Sequence, residues 1–165
     1  YKTAADVICM LVDIVSKNGN LLLNLPLRPD GTLDPEARYV VDGIGAWTRV
    51  NGEGLYGTRP WRVFGEGPTQ MGSGDFEEKP REWTEADFRF TARGQDVFAF
   101  LMKWPRTRVA CVRALGTESA ERVRQVSLLG SLAPLHWARD PEGLKVTLPA
   151  LPPTDTVSAL RIELA

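Results

Sequence analysis

The chain has 165 residues, of which 43% are apolar and 25% are charged, and its formal net charge is -1. These values are close to the averages for soluble globular domains, so we expect the chain to fold around a hydrophobic core. A pI near 5.9 gives no concentrated positive field for nucleic acid or an anionic membrane, and no apolar run approaches the roughly 20 residues that span a bilayer. The sequence therefore predicts neither a nucleic-acid partner nor a membrane span.

The two cysteines, Cys9 and Cys111, are too few and too far apart for a disulfide framework or a zinc site, which needs closely spaced pairs of ligands. We expect both to be buried thiols. No other pattern in the chain indicates a bound metal, and the sequence predicts no cofactor.

The first third of the chain predicts a helix, a strand and a second helix. Thr3 is a suitable N-cap for a helix over about Ala4–Lys17, because Asp6 follows it at the capping-box spacing and Asn-Gly ends the apolar periodicity. A strand is predicted over about Asn20–Leu25. Asp34 then caps a second helix with proline in its first turn, and this helix ends near Asn51.

The predicted strand contains three consecutive leucines, Leu21 to Leu23. A strand without alternation is typical of a parallel sheet that is covered on both faces. A parallel strand needs parallel neighbours, and no other segment of the sequence supplies them. The first third therefore resembles the last turn of a larger α/β barrel or sheet whose earlier strands lie upstream.

The composition and the hydrophobic periodicity of the sequence change after Gly52. A stretch rich in Gly, Pro and charge follows, and from Asp87 onward apolar residues alternate with period two in short runs separated by turn residues. This pattern predicts an antiparallel β-sandwich. The predicted fold class is thus an α/β fragment followed by an all-β sandwich, with the end of a larger α/β barrel or sheet at 1–53, an irregular connecting segment at 54–86 and the sandwich at 87–165.

Four motifs carry a resemblance to a known family. In chain order they are LVDIVSKNGNLLLNLPLRPDGTLD, IGAWTRVNGEGLYGTRPW, DFRFTARGQDVFAFLMKWP and VSLLG. They resemble the C-terminal part of the α-L-fucosidases of glycoside hydrolase family twenty-nine, over nearly the whole chain. The first two motifs are specific and the last two are supportive.

The resemblance implies a catalytic (β/α)8-like barrel followed by a β-sandwich, with residues 1–53 forming the last TIM-barrel unit. It also implies retaining hydrolysis of α-L-fucose from glycans, with an Asp nucleophile and a carboxylic general acid/base upstream of Tyr1. Retaining hydrolysis needs two carboxyl groups about 5 Å apart, and no motif in the chain places two carboxylates in that way. Asp13, Asp30 and Asp34 are interpreted as exposed or capping carboxylates, so the chain alone is predicted to be inactive.

Two residues are candidates for contact with substrate. Barrel enzymes place their chemistry at the C-terminal ends of the strands, and Asn24 and Arg28 lie at that end of the predicted strand. Asn24 could instead hold a neighbouring loop or strand. Arg28 could instead pair with Asp30 or Asp34.

The aromatic residues and the single histidine are interpreted as structural. Trp47 lies on the apolar stripe of the second helix, which predicts core packing, and Tyr56 and Trp61 are predicted to join the sandwich to the barrel. Trp83, in a polar stretch, is the best candidate for an exposed aromatic, although burial on the sandwich is favoured. His136 has no acid–nucleophile pair near it in sequence, so a structural role is expected.

Two other classes of function stay open. The sandwich could be a non-catalytic carbohydrate-binding module, which a row of exposed aromatics on one sheet face would indicate. The chain could also be a structural subunit, because the edges of a lone parallel strand invite association. The expected partners are the remaining barrel segment of the same enzyme and fucosylated glycans, and a homo-oligomer is an open alternative.

Overall fold

The structure is a computed structural model that describes residues 1–69 and 82–165. Two helices precede eight strands that form two antiparallel sheets. The helices are α1 (Ala4–Ser16) and α2 (Pro35–Asn51), and short 3-10 turns cover Gly52–Gly54 and Arg113–Leu115. The strands are β1 (Arg59–Glu66), β2 (Phe88–Arg93), β3 (Asp96–Leu101), β4 (Val109–Val112), β5 (Val123–Leu128), β6 (His136–Asp140), β7 (Gly143–Thr147) and β8 (Ser158–Leu164). Within the described ranges, no helix is both long enough and apolar enough to cross a bilayer.

Both predicted helices are confirmed, together with their caps. The Thr3 hydroxyl accepts the Asp6 backbone N–H while the Asp6 carboxylate accepts the Thr3 N–H, which completes the capping box. The Asp34 carboxylate accepts the Ala37 N–H at 2.7 Å at the start of α2. Local sequence chemistry therefore determines where each helix begins.

The two helices run parallel to one another. Gly43 approaches Ala4 so closely that a Cβ on Gly43 would lie 2.8 Å from the Ala4 Cβ. One turn further along each helix, Ile8 and Trp47 belong to the same buried cluster. The contacts advance in the same direction on both helices, so the chain must return along the length of α1 between them.

The return is made by residues 19–34, here called the return segment. The strand predicted over Asn20–Leu25 is wrong as secondary structure, because residues 19–26 pair with no strand among the described residues. The leucines are also not enclosed, since Leu22 is 95% exposed and Leu23 is 38% exposed. Backbone hydrogen bonding between strands defines a sheet, and no strand within residues 1–69 and 82–165 pairs with the edges of the extended segment.

The predicted antiparallel sandwich is confirmed. One sheet has the strand order β1-β2-β3-β8-β5 and the other has the order β4-β7-β6. Strands β2 and β3 form the predicted hairpin in unbroken register from Phe88↔Leu101 to Arg93↔Asp96. Gly94 occupies the turn at φ 59°, a conformation that glycine adopts without steric cost.

Two strands were missed by the sequence analysis. β1 lies inside the stretch interpreted as irregular, and β6 lies in a polar stretch that contains His136. The register of β1 against β2 shifts between Pro60 and Gly65, which breaks the period-two pattern that would have revealed it. The irregular structure predicted for residues 70–81 lies outside the described residues.

Strand β3 lies between two hydrophobic layers. Val97, Ala99 and Leu101 point into the core between the two sheets. Phe98 and Phe100, on the opposite face, pack against the helices in a second cluster. The five-stranded sheet is therefore the middle layer, with the small sheet on one side and the helices on the other.

Candidate functional site

The return segment ends in a tight turn that leads into α2. Leu27 and Leu33 form a β-bridge, and the backbone N–H of Arg28 donates to the Thr32 carbonyl at 2.8 Å. Asp30 closes the turn by accepting the Thr32 N–H at 2.9 Å, and Gly31 adopts φ 82°. The turn thus fixes the backbone around Arg28 by local contacts alone.

Both sequence-predicted site residues lie on the return segment, and both are exposed. Asn24 lies in the unpaired stretch and Arg28 lies in the turn. The Arg28 charge contributes to holding the pKa of Asp34 below its usual value, behind the larger effects of the Ala37 N–H and the Tyr1 hydroxyl. Asn24 and Arg28 present an amide and a guanidinium, which can donate hydrogen bonds to the hydroxyl groups of a sugar.

The two carboxylates of the return segment are already engaged. Asp30 accepts hydrogen bonds from the N–H and the hydroxyl of Thr32, and these bonds lower the pKa of Asp30. The pKa of Asp34 is lowered chiefly by the Ala37 N–H that it caps. A carboxyl group with a depressed pKa is ionised near neutral pH and is a poor general acid. The interpretation of Asp30 as a turn residue and of Asp34 as a cap is confirmed.

The junction between α1 and the sandwich contains a buried ion pair that the sequence analysis missed. Asp13 was interpreted as exposed or capping, and this interpretation is wrong: its side chain is 3% exposed and accepts a hydrogen bond from Arg89 at 2.5 Å. Asp13 falls beside the apolar stripe of α1, and that stripe faces the sheet rather than solvent. A charged residue next to a buried stripe was the available signal, but its partner lies 76 positions away.

The aromatic residues differ in part from the expectation. Trp47 is buried in the core, where its indole N–H donates to the Val157 carbonyl, as predicted. Tyr56 does not join the two parts, because it is 68% exposed. Trp61 packs against the core of the sandwich, edge-on to Phe90 with 5.3 Å between the two ring centroids. Trp83 is half-buried against the helix-side cluster, as favoured.

The cysteines and the histidine form no reactive group with one another. Cys9 and Cys111 are both half-buried, so the expectation that they would be buried is met only in part. Burial raises the pKa of the Cys9 thiol to about 11, so it stays protonated. His136 is exposed on β6. Among residues 1–69 and 82–165, no group of three or more His, Cys, Asp or Glu side chains could hold a metal ion.

Two family models match most of the chain between them. Residues 1–53 match the family described as "Alpha-L-fucosidase", and residues 81–163 match the family described as "Alpha-L-fucosidase C-terminal domain". The chain belongs to the α-L-fucosidase family. The fucosidase resemblance found in the sequence motifs is thereby confirmed.

Individual fucosidases give the same result. The chain is 32% identical to the tissue α-L-fucosidase of Mus musculus over 150 residues, which cover 90% of this chain and 29% of that protein. The structure of α-L-fucosidase isoenzyme 1 from Paenibacillus thiaminolyticus matches with a TM-score of 0.74 at 26% identity, covering 100% of this chain and 35% of that one. A family GH29 α-L-fucosidase from Bacteroides thetaiotaomicron, trapped as a covalent intermediate, matches with a TM-score of 0.71 at 20% identity, over 99% of this chain and 33% of that one. The chain thus spans about a third or less of the fucosidases that it matches.

Proposed function

We propose that the chain is the C-terminal portion of a retaining exo-α-L-fucosidase that releases α-L-fucose from glycans. In this proposal residues 1–53 complete a (β/α)8-like catalytic barrel, residues 54–86 connect the two parts and contribute β1 to the sandwich, and residues 87–165 form the rest of that accessory domain. The nucleophile and the acid/base belong to upstream barrel strands. The chain by itself is inactive.

One observation carries the proposal: two parallel helices are joined by a return segment in which Leu22, Leu23 and Leu27 are exposed to solvent. Helix α1 has 13 residues and is about 20 Å long at 1.5 Å per residue. The eight unpaired residues 19–26 can span up to about 26 Å when extended, which is enough to run back along α1. A helix, an extended return and a parallel helix are the repeating unit of an α/β barrel. The exposed leucines are then the surface that neighbouring barrel strands would cover.

The chemistry of the return segment supports an upstream location for the catalytic carboxylates. Asp30 and Asp34 are held in a turn and a helix cap, and both have lowered pKa values. Retaining hydrolysis needs a carboxyl group that can donate a proton and a second one that can attack. A covalent intermediate has been trapped in the Bacteroides fucosidase, which is the species that the second carboxylate forms in that mechanism.

Asn24 and Arg28 are proposed to reach the fucose pocket from the C-terminal end of the last barrel strand. In a barrel the strand ends and the loops that follow them surround the active site. Both side chains are exposed here, so each is free to meet a ligand or a neighbouring strand. In the complete enzyme, Asn24→Ala and Arg28→Ala should each raise KM for an aryl α-L-fucoside. Arg38 is an exposed arginine on α2, so Arg38→Ala is the matched control and should leave KM unchanged.

The alternative of a carbohydrate-binding sandwich has less support. Sugar-binding modules offer exposed aromatic rings, and Trp83 was the main candidate for one. Its ring lies 4.9 Å from the Arg89 guanidinium and is half-buried. Trp83 is therefore occupied by an internal contact.

The experiment compares the 165-residue chain with the complete polypeptide encoded by the same gene, using an aryl α-L-fucoside. The complete polypeptide should hydrolyse the substrate with retention of configuration, and the chain alone should show no turnover. Turnover by the chain alone would contradict the proposed position of the catalytic carboxylates. Absence of turnover by the complete polypeptide would contradict the proposed activity itself.

A further inference from the structure

Arg89 on β2 is a buried arginine in which each of the three guanidinium nitrogens donates a hydrogen bond to the protein. Its side chain is 2% exposed. Nε donates to Asp13 at 2.5 Å, Nη1 donates to the Phe88 carbonyl at 2.8 Å, and Nη2 donates to the Thr69 carbonyl at 3.1 Å. A buried charge is tolerated only when it is paired and hydrogen-bonded in this way. Arg89 therefore depends on Asp13, which lies on a different layer of the fold.

Asp13 is satisfied from both sides at the C-terminal end of α1. One carboxylate oxygen accepts from Arg89, and the other accepts from the Lys17 ammonium at 2.8 Å. Ser16, which is fully buried, donates its hydroxyl to the Asp13 carbonyl at 2.7 Å. The last turn of α1 is thus attached to the sandwich where the chain leaves the helix for the return segment.

The surroundings of Arg89 leave little room for a different arrangement. Its guanidinium lies 4.9 Å from the Trp83 ring centroid and 5.5 Å from that of Phe64. Gly65 lies beside it, and a Cβ there would come within 2.9 Å of the Arg89 Nη1 and 2.5 Å of the Phe88 carbonyl oxygen. The shift in register along β1 next to Gly65 brings the strand this close. The site around Arg89 is therefore shaped for one orientation of the side chain.

We propose that Asp13 and Arg89, here called the junction pair, fix the C-terminal end of α1 on the sandwich and so determine where the return segment begins. Ile8 and Val12 of α1 pack against the sheet through apolar side chains, which set no hydrogen-bond geometry, whereas an ion pair with fixed hydrogen-bond geometry has one register. The sandwich is then more than a cover: it orients the last helix–return–helix unit. This role does not depend on the fucosidase activity.

Hydrogen exchange of the 165-residue chain, followed by mass spectrometry, tests the proposal. In Arg89→Met the amides of residues 4–17 should exchange about tenfold faster or more, because the buried carboxylate of Asp13 would lose its partner on the sandwich and retain the Lys17 ammonium at the end of its own helix. The amides of β3 and β8 should keep their protection. Asp13→Asn should have the same effect, and the double variant should be milder than the product of the two single effects.

Arg93→Met is the matched control. Arg93 lies four residues further along β2 on the same face, and it pairs with Glu53 at 3.0 Å through side chains that are 42% and 37% exposed. An exposed pair contributes little, so α1 should exchange as in the wild type. If Arg89→Met does not fold, Asp13→Asn is compared with Asp42→Asn, which loses an exposed pair on α2. The proposal is overturned if the exchange rate of the α1 amides is unchanged in Arg89→Met or Asp13→Asn, or if the control variant raises that rate equally. It is also overturned if the effects of the two single variants on this rate are additive, or if the amides of β3 and β8 lose protection in step with those of α1.

Discussion

If the proposed function holds, replacement of Leu22 by alanine should destabilise the isolated chain only slightly and the complete polypeptide strongly. Leu22 is 95% exposed, whereas Leu160 on β8 is fully buried between the sheets. Full burial of a leucine side chain stabilises a protein by about 1.5–3 kcal/mol, and its removal from a packed core costs about 2–5 kcal/mol once the cavity is included. In the isolated chain we therefore expect Leu22→Ala to cost less than about 0.5 kcal/mol, and Leu160→Ala to cost about 2–5 kcal/mol.

In the complete polypeptide both substitutions should cost about 2–5 kcal/mol, because barrel strands would then cover Leu22. For the isolated chain, the free energy of unfolding is measured by urea denaturation, with m-values compared between variants. For the complete polypeptide, the rate of thermal inactivation is measured. A large loss for Leu22→Ala in the isolated chain would mean that the leucine is already packed there. No loss in the complete polypeptide would mean that no strand covers it, and the proposed barrel role of the return segment would be wrong.

Three further substitutions test the described contacts in the isolated chain. Trp47→Phe should cost about 1–3 kcal/mol in urea unfolding, because the buried Val157 carbonyl loses its indole donor and retains the Thr154 hydroxyl, and because a gap opens between α2 and the sheet. Burial raises the pKa of Glu66, so its folded form binds a proton more readily than its unfolded form. Its contribution to stability should fall as the pH rises through that raised pKa, and Glu66→Gln should remove this fall from the difference between the two pH–stability curves. Burial acts to raise the pKa of Asp87, but its hydrogen bonds outweigh that effect and the pKa is lowered. Asp87→Ala should therefore destabilise the chain above about pH 4, and the loss of stability should shrink at lower pH as the carboxylate of the wild type becomes protonated. A loss of stability that does not depend on pH would contradict this assignment.

The sequence predicted the elements whose determinants are local. The start of α1 is specified by Thr3 and Asp6, and the start of α2 by Asp34, because a cap needs only residues within one turn. The hairpin of β2 and β3 was predicted from alternation around a glycine turn. Strand β1 was missed since its irregular register against β2 disrupts the period on which the prediction depends.

The candidate sites show the same division between local and distant determinants. The turn around Arg28 and the capping role of Asp34 follow from the adjacent residues. The partners of Asp13 and Trp47 are 76 and 110 positions away, and residue spacing carries no information on such pairs. The sequence could show that Asp13 borders an apolar stripe, but only the packing of α1 on β2 shows that its carboxylate is buried.

The buried face of α1 and the return segment that follows the helix differ in how well they are packed. On the side of the sandwich, α1 buries Val12 and Asp13, and the contact is completed by Arg89. Immediately after the helix, Leu22 and Leu23 are exposed although they are as apolar as the residues in the core. Since water disfavours an exposed run of leucines, this run is expected to be covered in the proposed complete fucosidase, and the proposed attachment of α1 to the sandwich would hold the start of the return segment in place for the strands that cover it.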